Sequence, residues 1–352
     1  MTHVGAERGT DASALPQLTD PAVALHATQY SEWYPRYEAI APRSIVIDVA
    51  ALEPNFLQWL DADGLVLPKD SGVSRPSDQK RRDDQEVDAM SLPSDDDDED
   101  APELPALTNA IRHAISKFGA VFPKVNWSAP LDAAWMVPGN TLVCKSPSDV
   151  YLLLKSSDFV ARDMEQVAEL ALAMPSAHPV LVLKQWSNQP QAHEFRCFVR
   201  AGRLVALCQR DITFYEHLQN NDVKDQIRRT VADFYTKYLA ADPLKDCMFD
   251  VRLDAKLRRA TLIDINPWLP RTDTLLWTYE ELDEAAIVVT TTEELPLLRL
   301  IESEAQVSQS QPTYCGNMVP VDVMEVGAGR NVADFAREWQ NYLSKASSAE
   351  GP

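Results

Sequence analysis

The chain has 352 residues, 45% of them hydrophobic and 24% charged, with Lys+Arg 33 against Asp+Glu 53 and a formal net charge of -20. That size suits one large domain or two ordinary ones, and that apolar content excludes a fully disordered or fibrous chain. The negative charge repels phosphate backbones and anionic headgroups, so no direct nucleic-acid or membrane-surface binding is expected.

Residues before about Leu18 are small, polar and without period. From Pro21 the spacing of Val23, Leu25, Tyr30, Trp33 and Tyr37 predicts a short amphipathic helix, with Pro35 biasing Tyr34 away from helical backbone. Ser44 to Ala51 reads as a buried strand, and Pro54 to Leu60 as a helical turn with Phe56 and Trp59 inward. From Asp70 to Pro105 the pattern breaks into prolines, serines and acids. Ten acidic residues and no basic one lie between Asp83 and Asp100, which reads as an acidic, disordered insertion.

Order resumes with Leu107, Ile111, Ile115 and Phe118, one helix face stopped by Gly119. Ala120 to Trp127 reads as a strand, Ser148 to Ser156 as a helix begun by Ser148 or Asp149, and Val180 to Trp186 as a β-rich apolar run. Two hairpins are expected, Glu194–Arg200 with Leu204–Arg210, and Met248–Leu253 with Thr261–Ile265. Between them Val223, Ile227, Val231, Phe234 and Tyr238 mark a helix. Helices mixed with antiparallel hairpins predict an α+β fold.

Several chemistries are excluded by their missing devices. No GxGxxG opens a helix and no GxxxxGK exists, and the close pair Gly327 and Gly329 reads as a turn. The cysteines Cys144, Cys197, Cys208, Cys247 and Cys315 form no CxxC and read as reduced core thiols. The six histidines show no HExxH, and no GxSxG elbow occurs. No basic start precedes an apolar run and no stretch approaches the ~18 apolar residues of a membrane span, so a cytoplasmic protein is expected.

Three constellations could carry chemistry. In Phe249-Asp250-Val251-Arg252 and Leu262-Ile263-Asp264-Ile265-Asn266 charged and apolar residues alternate, so Asp250, Asp264 and Asn266 share a face if Asp250 pairs opposite Asp264 through a loop from Ala255 to Arg259. Facing carboxylates destabilise a sheet unless a cation sits between them, and so few oxygen ligands suit Mg²⁺. A solvent-facing acidic pair has the same spacing. Lys124, Lys184, Arg196 and Arg210 could supply fixed positive charge for a polyphosphate. A three-residue turn in the first hairpin puts Arg210 on the face of Arg196 and a two-residue turn puts it on the other; ordinary surface arginines fit as well. Gln185 and Trp186 end a strand and could cradle a purine, or Trp186 could be core.

Five blocks then carry a resemblance: Trp33-Tyr34-Pro35, Phe122 to Pro130, Asp149 to Ser157, Glu194 to Val199, and Asp264-Ile265-Asn266-Pro267-Trp268. In order over roughly Trp33 to Leu282 they resemble the cell division cycle 123 family, a eukaryotic ATP-grasp group. The resemblance implies an ATP-grasp domain over 21–345 in two α+β subdomains whose antiparallel sheets clamp ATP, between a disordered start over 1–20 and a disordered tail over 346–352, with the insertion at 70–105. It implies Lys124 and Lys184 as phosphate ligands, Gln185 and Trp186 as the adenine linker, Arg196 and Arg210 as phosphate or substrate contacts, and Asp250, Asp264 and Asn266 as the Mg²⁺ set. Trp127 to Asp132, with Ala129, would form the flap over the phosphates. Where the family often has Phe and then Gly-Glu after Asn-Pro, this chain has Trp268-Leu269-Pro270-Arg271.

The implied role is assembly of eukaryotic translation initiation factor 2 through binding of its gamma subunit, in support of translation initiation and cell-cycle progression. The alternative is an ATP-grasp ligase that makes an acyl phosphate and joins it to an amine. That chemistry needs a second pocket with its own anchors, and no such pocket is visible in the sequence.

Overall fold

The computed structural model describes residues 15–72, 101–137, 140–188, 190–289 and 294–307. In chain order the elements are α1 (Pro21–Thr28), α2 (Tyr30–Tyr37), β1 (Ser44–Asp48), α3 (Val49–Leu52), α4 (Phe56–Asp61), α5 (Pro105–Phe118), β2 (Val121–Lys124), α6 (Pro147–Lys155), α7 (Asp158–Ala173), β3 (Val180–Gln185), β4 (Glu194–Arg200), β5 (Arg203–Gln209), α8 (Asn221–Phe234), β6 (Cys247–Leu253), β7 (Ala260–Pro267), α9 (Tyr279–Val288), β8 (Leu297–Arg299) and α10 (Glu304–Val307). They form two compact α+β units. Among the described residues the first unit holds 29–38 and 42–188, and the second holds 15–28, 39–41 and 190–307.

The first unit is built on an antiparallel sheet in the order β1-β3-β2. Ile47, Val121, Leu181 and Leu183 point from one face into a core completed by Phe56, Trp59, Leu107, Ile111 and Tyr151. Local signals set several boundaries differently from the sequence pattern. The first strand stops at Asp48, whose carboxylate accepts the Ala51 amide at 3.0 Å and caps α3. Ser146, not Ser148 or Asp149, caps α6: it and Asp149 exchange hydrogen bonds in a capping box. Pro35 lies inside α2. Its missing N–H removes one helical hydrogen bond, and the fully buried Tyr30 and Trp33 hold the helix in place.

The interruption after Asp70 is narrower than its composition implied. The Lys69 amide donates to the Pro102 carbonyl at 3.1 Å and Leu104 is fully buried. The acidic run Asp83–Asp100 lies outside the described residues, as do Cys315 and the Gly327–Gly329 pair.

The second unit carries a sheet in the order β7-β6-β4-β5-β8, antiparallel except where β5 pairs with β8. One face packs on α9 and on Trp268 and Trp277, through Phe198, Ala206 and Met248. On the other face Phe249 stacks on Tyr235, which follows α8, with ring centroids 6.1 Å apart. Residues 15–20 do not stand off from this unit: Leu15 packs on its core and Arg200 Nη2 donates to the Pro16 carbonyl at 2.9 Å.

Register decides where the charged residues point. The first hairpin turns on two residues, Ala201 and Gly202, with φ of 53° and 71°, which alone would have turned Arg210 away. A bulge after Phe198 restores the pairing, so that Arg196 faces Cys208 and the Arg210 amide donates to the Glu194 carbonyl at 2.9 Å. In the second hairpin Asp250 does pair with Asp264, but through a bulge and a loop over 254–259.

Candidate functional site

In the first unit, Phe122 pairs with Lys184 and Lys124 with Val182, so both lysines stand on the sheet face opposite the core. Both are buried, at 3% and 6% exposed, which ordinary surface lysines are not. Lys124 Nζ donates to the Trp127 carbonyl. Lys184 Nζ lies 5.4 Å from the ring centroid of Tyr30 and 6.0 Å from that of Phe122, an aromatic floor that offsets part of its desolvation. Trp186, two residues on, shares this face and stacks on Phe122 at 6.4 Å while keeping 36% of its surface exposed. Gln185 pairs with Val121 and so belongs to the core-side face; only its backbone stays with the lysines, and its amide donates to the Arg43 carbonyl at 2.8 Å.

The segment expected to act as a flap is pinned at both ends. Asp163 of α7, fully buried, accepts the Trp127 and Ser128 amides at 2.9 and 2.6 Å and the Ser128 hydroxyl at 3.0 Å. Asp132 accepts the Ser157 hydroxyl at 2.6 Å and the Phe159 amide at 3.2 Å. Trp127 is 5% exposed, and Ala129 packs against the core. No sequence period marks Asp163, because the Trp127 and Ser128 groups it accepts lie 36 and 35 residues away.

In the second unit a row of side chains crosses the sheet. Asp264, Asp250, Arg196, Cys208 and Arg299 stand opposite one another on consecutive strands, with Asn266 two residues from Asp264 on the same face. Arg196 grips both carboxylate oxygens of Asp250, Nε to Oδ1 at 2.8 Å and Nη2 to Oδ2 at 2.9 Å. Arg210 Nε lies 3.2 Å from Asp250 Oδ2, and its Nη1 lies 3.1 Å from Glu194 Oε2. Arg252 holds the other oxygen of Glu194. Burial alone would lower the pKa of Arg196, but the Asp250 carboxylate outweighs it and holds the group above its ordinary value.

Glu194 was read from the sequence only as a residue that a three-residue turn sets opposite Arg210, and Arg252 was given no site role, yet the two face each other two residues along from the Arg196–Asp250 pair. Alternation on the paired strands is the signal that could have found them.

Among the described residues no group of three or more His, Cys, Asp or Glu is placed to hold a metal. The set Asp250, Asp264 and Asn266 is of a different kind, two carboxylates and an amide, and suits a cation that takes its remaining ligands from water and phosphate. Beside the pair, Asn266 Nδ2 is buried with no hydrogen-bond partner; as a donor it suits a phosphate oxygen, and only the Asn266 carbonyl oxygen could serve the cation. Asp250, already holding two guanidiniums, is the most committed member.

Nucleophilic thiol chemistry does not fit Cys144, Cys197 or Cys208. Burial pushes the Cys208 thiol up to about 12 and raises Cys144 and Cys197 as well, so all three stay protonated at neutral pH. Among the described residues no helix is long and apolar enough to cross a membrane.

Comparison with known proteins adds the family. A translation initiation factor eIF2 assembly protein of Aspergillus niger is 33% identical over 374 residues, covering 98% of this chain and 97% of the relative. One of Schizosaccharomyces pombe is 35% identical over 332 residues, covering 92% and 97%. The solved structure of Cdc123 from Schizosaccharomyces pombe superposes with a TM-score of 0.63 at 32% identity, over 82% of this chain and 100% of that one. The D123 profile matches residues 33–327, and the chain belongs to the D123 family.

Proposed function

We propose that the chain is an assembly factor for translation initiation factor eIF2 that binds ATP with Mg²⁺ and docks on the gamma subunit. The assembly role is supported by relatives that bear that name and align with this chain over nearly their whole length. The nucleotide reading is carried by one observation: Asp250 and Asp264 face each other in register, with the Asn266 Nδ2 donor buried and unpartnered two residues further along the strand. In it Lys124 and Lys184 take phosphate oxygens, Gln185 and Trp186 bracket the adenine, Arg196 and Arg210 supply fixed positive charge, and Asp264 and Asn266 lead the metal set. Mg²⁺ held there would neutralise polyphosphate charge and fix its orientation.

Calorimetry with ATP, with and without Mg²⁺, tests it. Wild type binds ATP more tightly with Mg²⁺, and Asp264→Ala loses that increment while keeping the metal-free affinity. Equal affinity in both proteins at saturating Mg²⁺ rejects the metal set. A pull-down with the eIF2 gamma subunit tests the partner. ADP formed in step with a joined carboxylate and amine, with no protein partner present, would establish the ligase instead.

A further inference from the structure

The charged groups around Asp250 are not equally fixed. Arg196 is 9% exposed at its side chain, binds Asp250 at two points and donates Nη1 to the Asp273 carbonyl at 2.5 Å. Arg210 is different: it lies just past the end of β5, its side chain is 35% exposed, and it meets Asp250 through a single nitrogen. Its other contact, Glu194, is anchored independently by Arg252. A rotation of Arg210 can therefore release Asp250 while Glu194 keeps hold of the guanidinium.

A divalent cation approaching Asp250 meets two guanidiniums already on its carboxylate, and one of them, Arg210, stands on an oxygen the cation would use. Withdrawing Arg210 takes one positive charge off Asp250. A phosphate is a better partner for a guanidinium than a carboxylate already shared with a second arginine.

We propose that Arg210 is a counter-ion gate: it neutralises Asp250 in the nucleotide-free protein and leaves it for an arriving phosphate, so that divalent metal and polyphosphate bind as a coupled pair. The proposal rests on the nucleotide reading above and assigns Arg210 a part in it that phosphate contact alone does not require. The coupling is reciprocal: each ligand raises affinity for the other by the same factor.

The test titrates Mn²⁺ alone into the full-length protein and reads free metal by electron paramagnetic resonance. Wild type binds Mn²⁺ weakly; Arg210→Gln binds it at least about tenfold more tightly, because a positive charge next to a ligand oxygen is gone. Arg210→Lys, which keeps the charge, stays within about twofold of wild type, and the thermal transition of each variant shows that the fold is retained. Unchanged or weaker Mn²⁺ binding by Arg210→Gln overturns the gate. A parallel calorimetric arm with ATP and Mg²⁺ on wild type separates the two readings. Binding there with no Mn²⁺ gain in Arg210→Gln sinks the gate alone, whereas no binding at all sinks the nucleotide reading and the gate with it.

Discussion

Arg196 and Asp250 stand directly opposite each other on β4 and β6, and the guanidinium closes two parallel hydrogen bonds of 2.8 and 2.9 Å on the carboxylate. The sheet itself sets this geometry, so neither side chain has to be ordered separately. The pair also explains how Asp264 is tolerated on the next strand. Two carboxylates in register repel, and Arg196, fully charged beside them, offsets that repulsion before any metal is considered. Asp250 therefore holds arginines in place as well as bordering the metal position.

The two aspartates should separate in a stability measurement. Asp250 is 1% exposed, and removing it takes a carboxylate away from two guanidiniums, one of them buried; Asp250→Ala should cost about 3–5 kcal/mol, the range for breaking a buried pair from one side. Asp264 is half-buried, and Asp264→Ala should cost under about 1 kcal/mol. Urea unfolding followed by tryptophan fluorescence gives both numbers. Equal costs would show that Asp250 is not the hub of the network.

Alternation is a local signal, so the shared face of Asp250, Asp264 and Asn266 was legible in the sequence; their register was reached from a loop over Ala255 to Arg259, whereas a loop over 254–259 and a bulge give the same pairing. What the sequence could not show is compensation between two irregularities. In β4–β5 a two-residue turn and a bulge cancel, and the bulge, which leaves no residue-type mark, puts Arg210 back beside Asp250. Helix α7 went unread despite Ser157 at its cap, since only Val160, Val167 and Leu170 of its apolar positions are buried together with the acidic Asp163. Strand β8 is three residues long, too short for a period of two to register. Lys124 and Lys184 were found as residue types, but the aromatic floor of Lys184 depends on Tyr30, far away in sequence.

Acid should weaken the second unit through Glu281. Its hydrogen bonds to Arg299, first, and to the Thr278 amide lower its pKa from 4.5 to about 2. A carboxylate held lower in the folded state contributes stability above its unfolded pKa, and the contribution fades as pH falls from about 4.5 toward 2. Because the pair is more than one-third exposed, the effect is modest and shrinks with salt. Glu281→Gln should show a shallower loss of stability across that window, with no difference from wild type in pH slope between 6 and 8. Parallel curves below pH 4.5 would exclude the contribution.

Gly119 tests backbone strain without a steric complication. It ends α5 with φ of 82°, its amide donates to the Ile115 carbonyl at 2.7 Å, and a Cβ placed there meets nothing within 4 Å. Gly119→Ala should therefore cost about 1 kcal/mol, from conformation alone. Gly202→Ala, at φ of 71° and 3.0 Å from Lys245 Cδ, should cost more unless that side chain moves. Thermal melts of the two variants give the comparison, and a Gly119→Ala protein as stable as wild type would contradict the strain argument.

The strongest separation of support from contact is expected at Asp163. Its side chain is fully buried and holds the turn at Trp127 and Ser128, whose amides it accepts at 2.9 and 2.6 Å. Asp163→Ala leaves those two N–H groups and the Ser128 hydroxyl without their acceptor, at about 2–4 kcal/mol in total, while Asp163→Asn keeps one carbonyl oxygen and should lose about half as much. The Trp127 carbonyl also accepts from Lys124 Nζ, so loosening this turn moves a lysine that the proposed site requires. Hydrogen exchange should then quicken at Trp127 and Ser128 in Asp163→Ala, and ATP affinity should fall in the order wild type, Asn, Ala. Unchanged protection of those two amides in the alanine variant would mean that Asp163 does not hold the turn.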